Sequence, residues 1–323
     1  MAMRTSLLRF VPATLLCGCA FSAHAEVPKV VVSIKPIHSI VASIMDGVGE
    51  PALIVDGSAS PHTYAMKPSN AAALEQAGIV FWMGHGMEHF LEKPLESLGT
   101  GATIVALEEA PGIEKLAARE GGPFEPHEDG DEHEAEADHA HADEAAHEHG
   151  EFDMHAWLDP TNAKAMAAEI SKTLSKADPD HAAAYSANLA SFEAKLDAMD
   201  KAIVATLAPV KDRPFIVFHD AYQYFEHHYG VRVAGSITVN PESMPGAKRL
   251  SDIQAKIKTL GATCVFAEPQ FEPKLIRVVT EGTEAKSGTL DPEAGTLQAG
   301  PSLYFQMMQD IADSLRTCLA AEG

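Results

Sequence analysis

The chain has 323 residues, which is long enough for two folded domains, and its apolar content of 46% is typical of a globular protein. Its formal net charge of −22 argues against nucleic acid and anionic membrane surfaces as partners and favours the attraction of cations. After the first 25 residues, no stretch approaches the ~18 apolar residues that a membrane-spanning helix needs.

The first 25 residues have the features of a secretory signal peptide. Two arginines supply its positive region, an apolar run follows, and Ala-His-Ala at 23–25 provides a small-residue cleavage site. We therefore expect an exported, soluble protein whose mature chain begins at Glu26. Leu-Cys-Gly-Cys at 16–19 leaves a lipoprotein alternative open, with Cys19 as the anchored residue.

The mature chain alternates strand-like and helix-like runs, and this pattern occurs twice. It predicts an α/β protein of two lobes, each a mainly parallel sheet with flanking helices: residues 26–177 and 211–323. Strands are expected at 29–34, 52–55, 79–83, 102–107, 215–218, 231–238 and 263–267. Helices are expected at 38–45, 69–76, 162–174, 221–228, 248–260, 273–281 and 302–320.

Residues 178–210 are predicted to form one long helix that connects the lobes. Asp178 can cap this helix, with Pro179 at its first position. Apolar residues then recur every three or four positions for about 28 residues, which corresponds to roughly 40 Å of helix. We interpret the helix as a rigid strut that allows only small lobe movements.

A tract between 120 and 153 contains fourteen acidic residues, six histidines and neither lysine nor arginine. It has little apolar surface to bury, so the sequence predicts a disordered loop over 120–152 within the first lobe. Imidazole binds zinc, nickel and copper, which favours a metal-collecting segment over a plain acidic linker. The tract histidines are His127, His133, His139, His141, His147 and His149.

Three further histidines lie at junctions of the predicted elements. His62 follows the strand at 52–55, His219 ends the strand at 215–218, and His155 directly precedes a helix. Ligands of open α/β sheets bind outside the carboxyl ends of the strands, so these residues can meet in a cleft between the lobes. Zinc commonly takes imidazole ligands. The pattern indicates a metal site, with separately packed histidines as the alternative.

Two cysteines, Cys264 and Cys318, remain after removal of the signal peptide. An even pair in an exported chain suggests one disulfide, with two buried thiols as the alternative. Neither residue lies in a Cys-x-x-Cys pair, which argues against catalytic thiol chemistry.

Five motifs lie along the mature chain: Ser-Ile-Lys-Pro-Ile-His-Ser-Ile-Val-Ala (33–42), Ser-Pro-His-Thr-Tyr with Lys-Pro-Ser (60–69), His-Ala-Trp-Leu-Asp-Pro (155–160), Phe-His-Asp-Ala-Tyr-Gln-Tyr-Phe (218–225) and Phe-Ala-Glu-Pro-Gln-Phe (266–271). They resemble motifs of periplasmic zinc-binding proteins of ABC importers, the ZnuA type. They occur in the order of that family and span nearly the whole mature chain. The resemblance implies two lobes bridged by a long helix, with the metal between them and an acidic His-rich loop near the entrance.

The same resemblance implies roles for individual residues. His62, His155 and His219 match the three imidazole ligands of the family. Cys264 and Cys318 match its disulfide positions.

The fourth ligand is where this chain departs from the family. Some zinc-binding members place an acid directly before the first histidine, whereas Pro61, which cannot coordinate, stands here. Manganese-binding relatives use an aspartate late in the chain, and Asp291 occupies that position. Either Asp291 completes the site or water fills the fourth place, and we favour water. Three neutral imidazoles argue for zinc over manganese.

Four polar residues near these motifs have both a supporting and a packing interpretation. His38, Asp220 and Glu268 can support the ligands from behind. A helix-start packing role is favoured for His38. Asp220 can instead orient backbone or ring N–H groups, and Glu268 can instead line the cleft wall or act as a local cap. Asp159 is expected to orient backbone or ring N–H groups.

Two other histidine motifs carry weaker signals. His-Gly-Met-Glu-His at 85–89 matches the His-x-x-Glu-His pattern of some metallopeptidases, but its glycines disfavour the helix that this chemistry requires. A peripheral weak metal site or plain exposure is the expected outcome. His227 and His228 are expected at the surface, where they can act as adventitious metal ligands.

We expect a binding protein rather than an enzyme. It captures zinc in the periplasm and delivers it to an ABC permease of the inner membrane, as a monomer, with no nucleic acid partner and no direct membrane insertion. The tract collects or senses zinc. The alternatives are a manganese- or iron-binding relative that uses Asp291, a zinc hydrolase built on the same histidines, and an adhesin-like surface protein anchored at Cys19.

Overall fold

A computed structural model of the chain describes most of the predicted mature protein. The predicted signal peptide and the six tract histidines lie outside the described residues. No helix within those residues is long and apolar enough to span a bilayer. The described ranges are 27–119, 152–238, 245–260, 264–272 and 274–320.

The first lobe is built on a four-stranded parallel sheet, whose strands are β1 (Val30–Val32), β2 (Ala52–Leu53), β3 (Ile79–Trp82) and β4 (Thr103–Ala106). The spatial order is β2-β1-β3-β4. β1 and β3 are continuous apolar runs buried on both faces, which is why they occupy the centre of the sheet. The helices that follow the first three strands are α1 (Lys35–Ile44), α2 (Pro68–Glu75) and α3 (Glu92–Ser97).

Three helices complete the first half of the fold or connect it to the second: α4 (Pro160–Ala177), α5 (Ala182–Leu207) and, at the end of the chain, α9 (Leu303–Ala320). α5 packs against α1 and α4 on one side and against α9 on another. Its buried residues follow the helical repeat and are Tyr185, Phe192, Leu196, Met199, Ile203 and Leu207. The predicted long helix between the lobes is therefore present.

The start of α5 differs from the prediction. Pro179–His181 forms a separate 3-10 turn, and the helix proper begins at Ala182. The prediction that Asp178 caps the helix is wrong, because its carboxylate makes no capping hydrogen bond. Instead it accepts hydrogen bonds from the Tyr185 hydroxyl and from the ring of His181, both at 2.8 Å.

The second lobe repeats the same topology. Its parallel strands are β5 (Pro214–His219), β6 (Arg232–Thr238), β7 (Cys264–Ala267) and β8 (Lys286–Thr289), in the order β6-β5-β7-β8. Its helices are α6 (Gln223–Tyr229), α7 (Ala247–Leu260) and α8 (Lys274–Thr280). Gly230 ends α6 with a φ of +67°, a conformation that favours glycine. The predicted two-lobed parallel α/β class is confirmed.

Two elements are absent from the sequence-based prediction. β8 is an edge strand of sequence Lys-Ser-Gly-Thr and is only partly buried, so it carries no apolar signal. α3 is a short helix that contains Pro94, a residue which sequence reasoning treats as a helix breaker.

The hydrophobic core continues from one lobe into the other. One cluster joins the central strands of the first lobe, the helices α1, α4, α5 and α9, and one face of the second sheet, including Phe215 and Val217. A second cluster lies on the opposite face of that sheet, where Ile216 and Phe218 pack with apolar residues of α7 and α8. Because the lobes share the first cluster, the core opposes large movements of one lobe against the other.

A buried lysine adds a polar link between the lobes. Lys35, at the start of α1, is only 4% exposed. Its ammonium donates to the carbonyl oxygens of Ala294, Gly295 and Leu297 at 3.3, 3.0 and 2.8 Å. Three acceptors match the three N–H donors of an ammonium, so the buried charge is fully hydrogen-bonded. The loop after β8 is thereby held against the first lobe.

The predicted disulfide is confirmed. Cys264, the first residue of β7, is bonded to Cys318 in α9 across a sequence separation of 54. The bond fastens the C-terminal helix to the second sheet.

Removal of this disulfide should destabilise the fold. We expect the Cys264→Ser/Cys318→Ser variant to lose about 4 kcal/mol of unfolding free energy, because the unfolded chain is no longer restricted by a loop of this length. Guanidinium unfolding measures the loss. A reductant should bring the wild-type protein to the same stability and leave the variant unchanged. Equal stability of both proteins in oxidising buffer would contradict the prediction.

Candidate metal centre

Three histidines from separate segments meet between the lobes. His62 lies in the 3-10 turn Pro61–Thr63, beyond the carboxyl end of β2. His219 is the last residue of β5, and His155 directly precedes the turn Ala156–Leu158, which leads into α4. The structure thus brings together the three histidines that the sequence pattern indicated.

The spacing of the ring nitrogens suits a tetrahedral metal ion. Each ring offers one ligand nitrogen, and the three nitrogens lie within 4.8 Å of one another. The Nε2 atoms of His155 and His219 are 3.4 Å apart. Neighbouring ligands of a tetrahedral zinc ion are separated by about 3.3 Å when each zinc–nitrogen bond is ~2.05 Å. His62 Nε2 is buried and has no hydrogen-bond partner among the described residues, so it too is available.

Carboxylates hold two of the rings from behind. Asp153 Oδ1 lies 2.7 Å from His155 Nδ1, and Glu268 Oε2 lies 2.6 Å from His219 Nδ1. A carboxylate accepts the Nδ1 proton, which leaves the Nε2 lone pair for a metal and fixes the orientation of the ring. Both carboxylates therefore favour the metal-binding tautomer.

Strand register explains the position of Glu268. β5 and β7 are parallel neighbours in which Phe215 pairs with Cys264 and Ile216 with Val265. Continuing that register past the strand ends places Glu268 beside His219. The register of the two strands thus accounts for the contact between Glu268 and His219.

Asp153 was not singled out by the sequence analysis. Its Oδ1 also accepts the backbone N–H of His155 at 3.0 Å, so the contact is a local turn within Asp-Met-His. The spacing of two residues between Asp153 and His155 could have revealed this contact. The sequence analysis instead counted Asp153 among the acidic residues of the tract.

The pKa values of two candidate ligands, His62 and His219, shift in opposite directions. Burial, together with the neighbouring rings of His155 and His219, holds the pKa of His62 well below its ordinary value. Burial would also lower the pKa of His219, but the charge and hydrogen bond of Glu268 outweigh it and raise that pKa. His62 is thus neutral when metal arrives, whereas His219 is where a proton competes with the metal.

Asp291 is not part of the three-histidine group. Its Oδ1 accepts hydrogen bonds from Gln270 Nε2 at 2.8 Å and from the backbone N–H of Gly295 at 3.0 Å. Its Oδ2 accepts from the backbone N–H and the hydroxyl of Thr296 at 3.1 and 3.0 Å. These contacts make Asp291 an organiser of the loop after β8.

Two other predicted supporting residues have different contacts. Asp220 follows His219 but forms an ion pair with the guanidinium of Arg119. The Nε2 of His38 donates to the Pro51 carbonyl at 3.0 Å. Neither residue contacts a ligand ring through these bonds.

The described residues that flank the tract are fastened to α6. Ala117 and Phe152 form an antiparallel bridge. Tyr224 Oη accepts from the Leu116 N–H at 3.0 Å and donates to the Asp153 carbonyl at 2.7 Å. The two ends of the tract therefore enter and leave the fold at one place, next to the segment that carries His155.

The fold and the three-histidine site define a two-lobed metal-binding protein. The sequence profile of the family described as "Zinc-uptake complex component A periplasmic" (ZnuA) matches residues 30–318. The chain belongs to this family, and the resemblance expected from the motifs is confirmed.

Individual relatives agree with this assignment. The high-affinity zinc uptake system protein ZnuA of Brucella suis biovar 1 (strain 1330) is 53% identical over 326 residues, which cover 96% of this chain and 98% of the relative. The protein of the same name from Yersinia pestis is 39% identical and covers 90% and 91%. A crystal structure of ZnuA matches with a TM-score of 0.73 and 27% identity, covering 91% of this chain and 99% of that one.

The contact between Glu268 and His219 predicts how zinc affinity depends on pH. As the pH falls through the raised pKa of His219, protons displace zinc. The zinc affinity should therefore begin to decline at a pH above 6.5, the ordinary pKa of histidine. Glu268→Gln removes the charge that raises this pKa. The decline should then begin at lower pH, while affinity at higher pH falls by about 10–100-fold because the ring is less well held.

Both effects are measured by chelator competition between about pH 5 and 8, the range in which histidines ordinarily titrate. Glu272→Gln, an exposed acid nearby, is the matched control and should follow the wild-type curve. Identical pH profiles for the wild-type protein and Glu268→Gln would refute the assignment.

Asp291 can be tested as a loop organiser. Asp291→Asn replaces one accepting oxygen by an N–H₂ group that faces donors, so the unfolding free energy should fall by about 1–3 kcal/mol. Zinc affinity should stay within a fewfold of the wild-type value. Asp252→Asn, on the exposed face of α7, should change neither quantity. A collapse of zinc affinity in Asp291→Asn, measured by chelator competition, would instead make Asp291 a ligand.

Proposed function

We propose that this chain captures zinc in the periplasm and delivers it to an ABC permease of the inner membrane. The observation that carries this proposal is the convergence of three imidazole nitrogens from His62, His155 and His219 within 4.8 Å. Neutral nitrogen ligands favour zinc over manganese, which prefers carboxylate-rich sites. The high-affinity zinc uptake relatives and a structural neighbour described as a zinc-bound ZnuA deletion mutant support the same metal.

The fourth coordination position is proposed to hold water. Pro61, the residue before His62, has no ligand atom in its side chain, and the carboxylate of Asp291 already accepts four hydrogen bonds. A water ligand leaves the position exchangeable, which suits capture followed by release.

The hydrolase alternative is disfavoured by the positions of the two acids in the site. Asp153 and Glu268 each accept a hydrogen bond from a ligand ring, so both face away from the metal position. A general base must reach a metal-bound water, and a carboxylate engaged behind an imidazole does not do so. A transport role uses the same carboxylates to hold the ligands.

The acidic His-rich tract is proposed to collect or sense zinc. Its histidines are separated in sequence and mixed with acids, a composition that favours several weak and rapidly exchanging sites over one tight site. The described residues that flank the tract lie beside the segment of His155, which supports a collecting role close to the capture site.

Zinc titration of the metal-stripped mature protein tests the proposed function. We expect each protein molecule to bind one zinc ion tightly, which excess manganese does not displace, and then to bind further zinc ions more weakly. His155→Ala should weaken binding of the tightly bound zinc ion by at least about 100-fold. It removes a proposed ligand, and loss of a contact that merely supports a ligand already lowers metal affinity by about 10–100-fold. Calorimetry with a competing chelator measures this loss.

His181→Ala is the matched control, since this histidine lies in the turn before α5 and bonds Asp178. It should leave the tight equivalent unchanged. Displacement of zinc by manganese at comparable concentrations would overturn the metal assignment.

A further inference from the structure

A second group of metal-ligating side chains lies outside the three-histidine site in the described part of the chain. It consists of Glu114, Asp159 and His227, whose ligand atoms all lie within 4.8 Å of one another. Glu114 and His227 are exposed and Asp159 is buried. The three residues come from the segment before the tract, the start of α4, and α6. They are therefore brought together by the tertiary fold rather than by sequence proximity.

The positions of Glu114 and Asp159 are held by the start of α4. The buried side chain of Asn162 accepts from the Glu114 N–H at 2.8 Å and donates to the Glu114 carbonyl at 3.1 Å. Asp159 caps α4 by accepting the Thr161 N–H at 2.6 Å. The start of α4 thus holds the backbone of Glu114 and the side chain of Asp159.

His227 is positioned through its neighbour in α6. His228 bridges two acids, with Nδ1 3.0 Å from Asp159 Oδ1 and Nε2 2.9 Å from Asp200 Oδ1. This bridge fastens α6 to the start of α4 and to α5, so His227 is presented beside Asp159. The cluster is consequently preformed on three supported segments.

Asp159 keeps the charge that a metal ligand needs. Burial alone would raise its pKa, but hydrogen bonds from His228 and Thr161 outweigh burial and lower the pKa. The known contacts use only part of its capacity, because a carboxylate offers about four lone-pair sites. Asp159 can therefore bind a cation while it still caps α4.

We propose that Glu114, Asp159 and His227 form a second, weaker zinc site at the base of the acidic His-rich tract, a proposal that rests on the zinc-capture function above. One imidazole and two carboxylates form a mixed donor set that zinc accepts, and the exposed side leaves positions for water. The three-imidazole site is more buried and richer in nitrogen, so it binds more tightly.

The location gives this second site a role. Tyr224 of α6 hydrogen-bonds both Leu116, two residues after Glu114, and Asp153, two residues before His155. Asp159 comes shortly after His155 in the chain. His227 lies in α6, the helix that follows the strand ending at His219. The second site thus lies on the described segments that flank the tract and carry His155 and His219, a location that suits passage of zinc from the tract to the tight site.

The test uses full-length mature protein in which the six tract histidines are replaced by glutamine. Zinc titration by calorimetry, with native mass spectrometry for stoichiometry, should give one tight and one weaker equivalent. His227→Gln and Glu114→Gln should each abolish the weaker equivalent and retain the tight one. His181→Gln, which removes an imidazole elsewhere, should retain both.

The outcomes separate the two proposals. A weaker equivalent that survives both His227→Gln and Glu114→Gln, or that is absent from the parent protein, overturns the second site while the tight equivalent still supports capture. Absence of the tight equivalent in the parent protein overturns the capture function itself. Retention of the tight equivalent in each variant also shows that the variant is folded.

Discussion

The hydrogen bonds from His155 to Asp153 and from His219 to Glu268 hold the metal centre in one geometry. An imidazole without such a partner can rotate and can carry its proton on either nitrogen. Here one contact fixes both properties for each ring. The proposed ligand geometry therefore depends on two carboxylates behind the rings. A local turn places Asp153, and the register of β5 and β7 places Glu268.

The same carboxylates determine the charge balance of the cleft. With Asp153 and Glu268 ionised and three neutral imidazoles, a divalent cation makes the site formally neutral, which lowers the electrostatic penalty of burial. Without the cation, Glu268 is the main group that raises the pKa of His219, with smaller contributions from the charges of Asp220 and Asp153. A metal ion and a proton on His219 thus compete to compensate the same negative charge.

Much of the fold follows from local sequence patterns. Buried strands such as β1 and β3 are continuous apolar runs, and α5 follows a regular helical repeat, so both were predictable. β8 was not, because an edge strand half exposed to solvent has no reason to be apolar. Asp178 shows the same limit at a helix end, since its choice between capping and bonding Tyr185 depends on tertiary packing.

The candidate site was predictable to a similar degree. Parallel sheets direct ligands to strand ends, which indicated His62 and His219 without any knowledge of contacts. The functions of acids were harder to predict. Glu268 and Asp291 both follow strands of one sheet, yet one supports a ligand ring and the other accepts hydrogen bonds from its own loop. Only the register of β5 and β7 distinguishes them.

The core shared by the two lobes has a consequence for recognition by a transporter. Opening the lobes enough to expose only ~200 Å² of apolar surface would cost roughly 5 kcal/mol, so fewer than about one molecule in a thousand would be open at any moment. The empty and the loaded protein then have almost the same outline. A docking partner has to distinguish them by the small surface around the cleft mouth, and empty molecules compete with loaded ones for the same receptor.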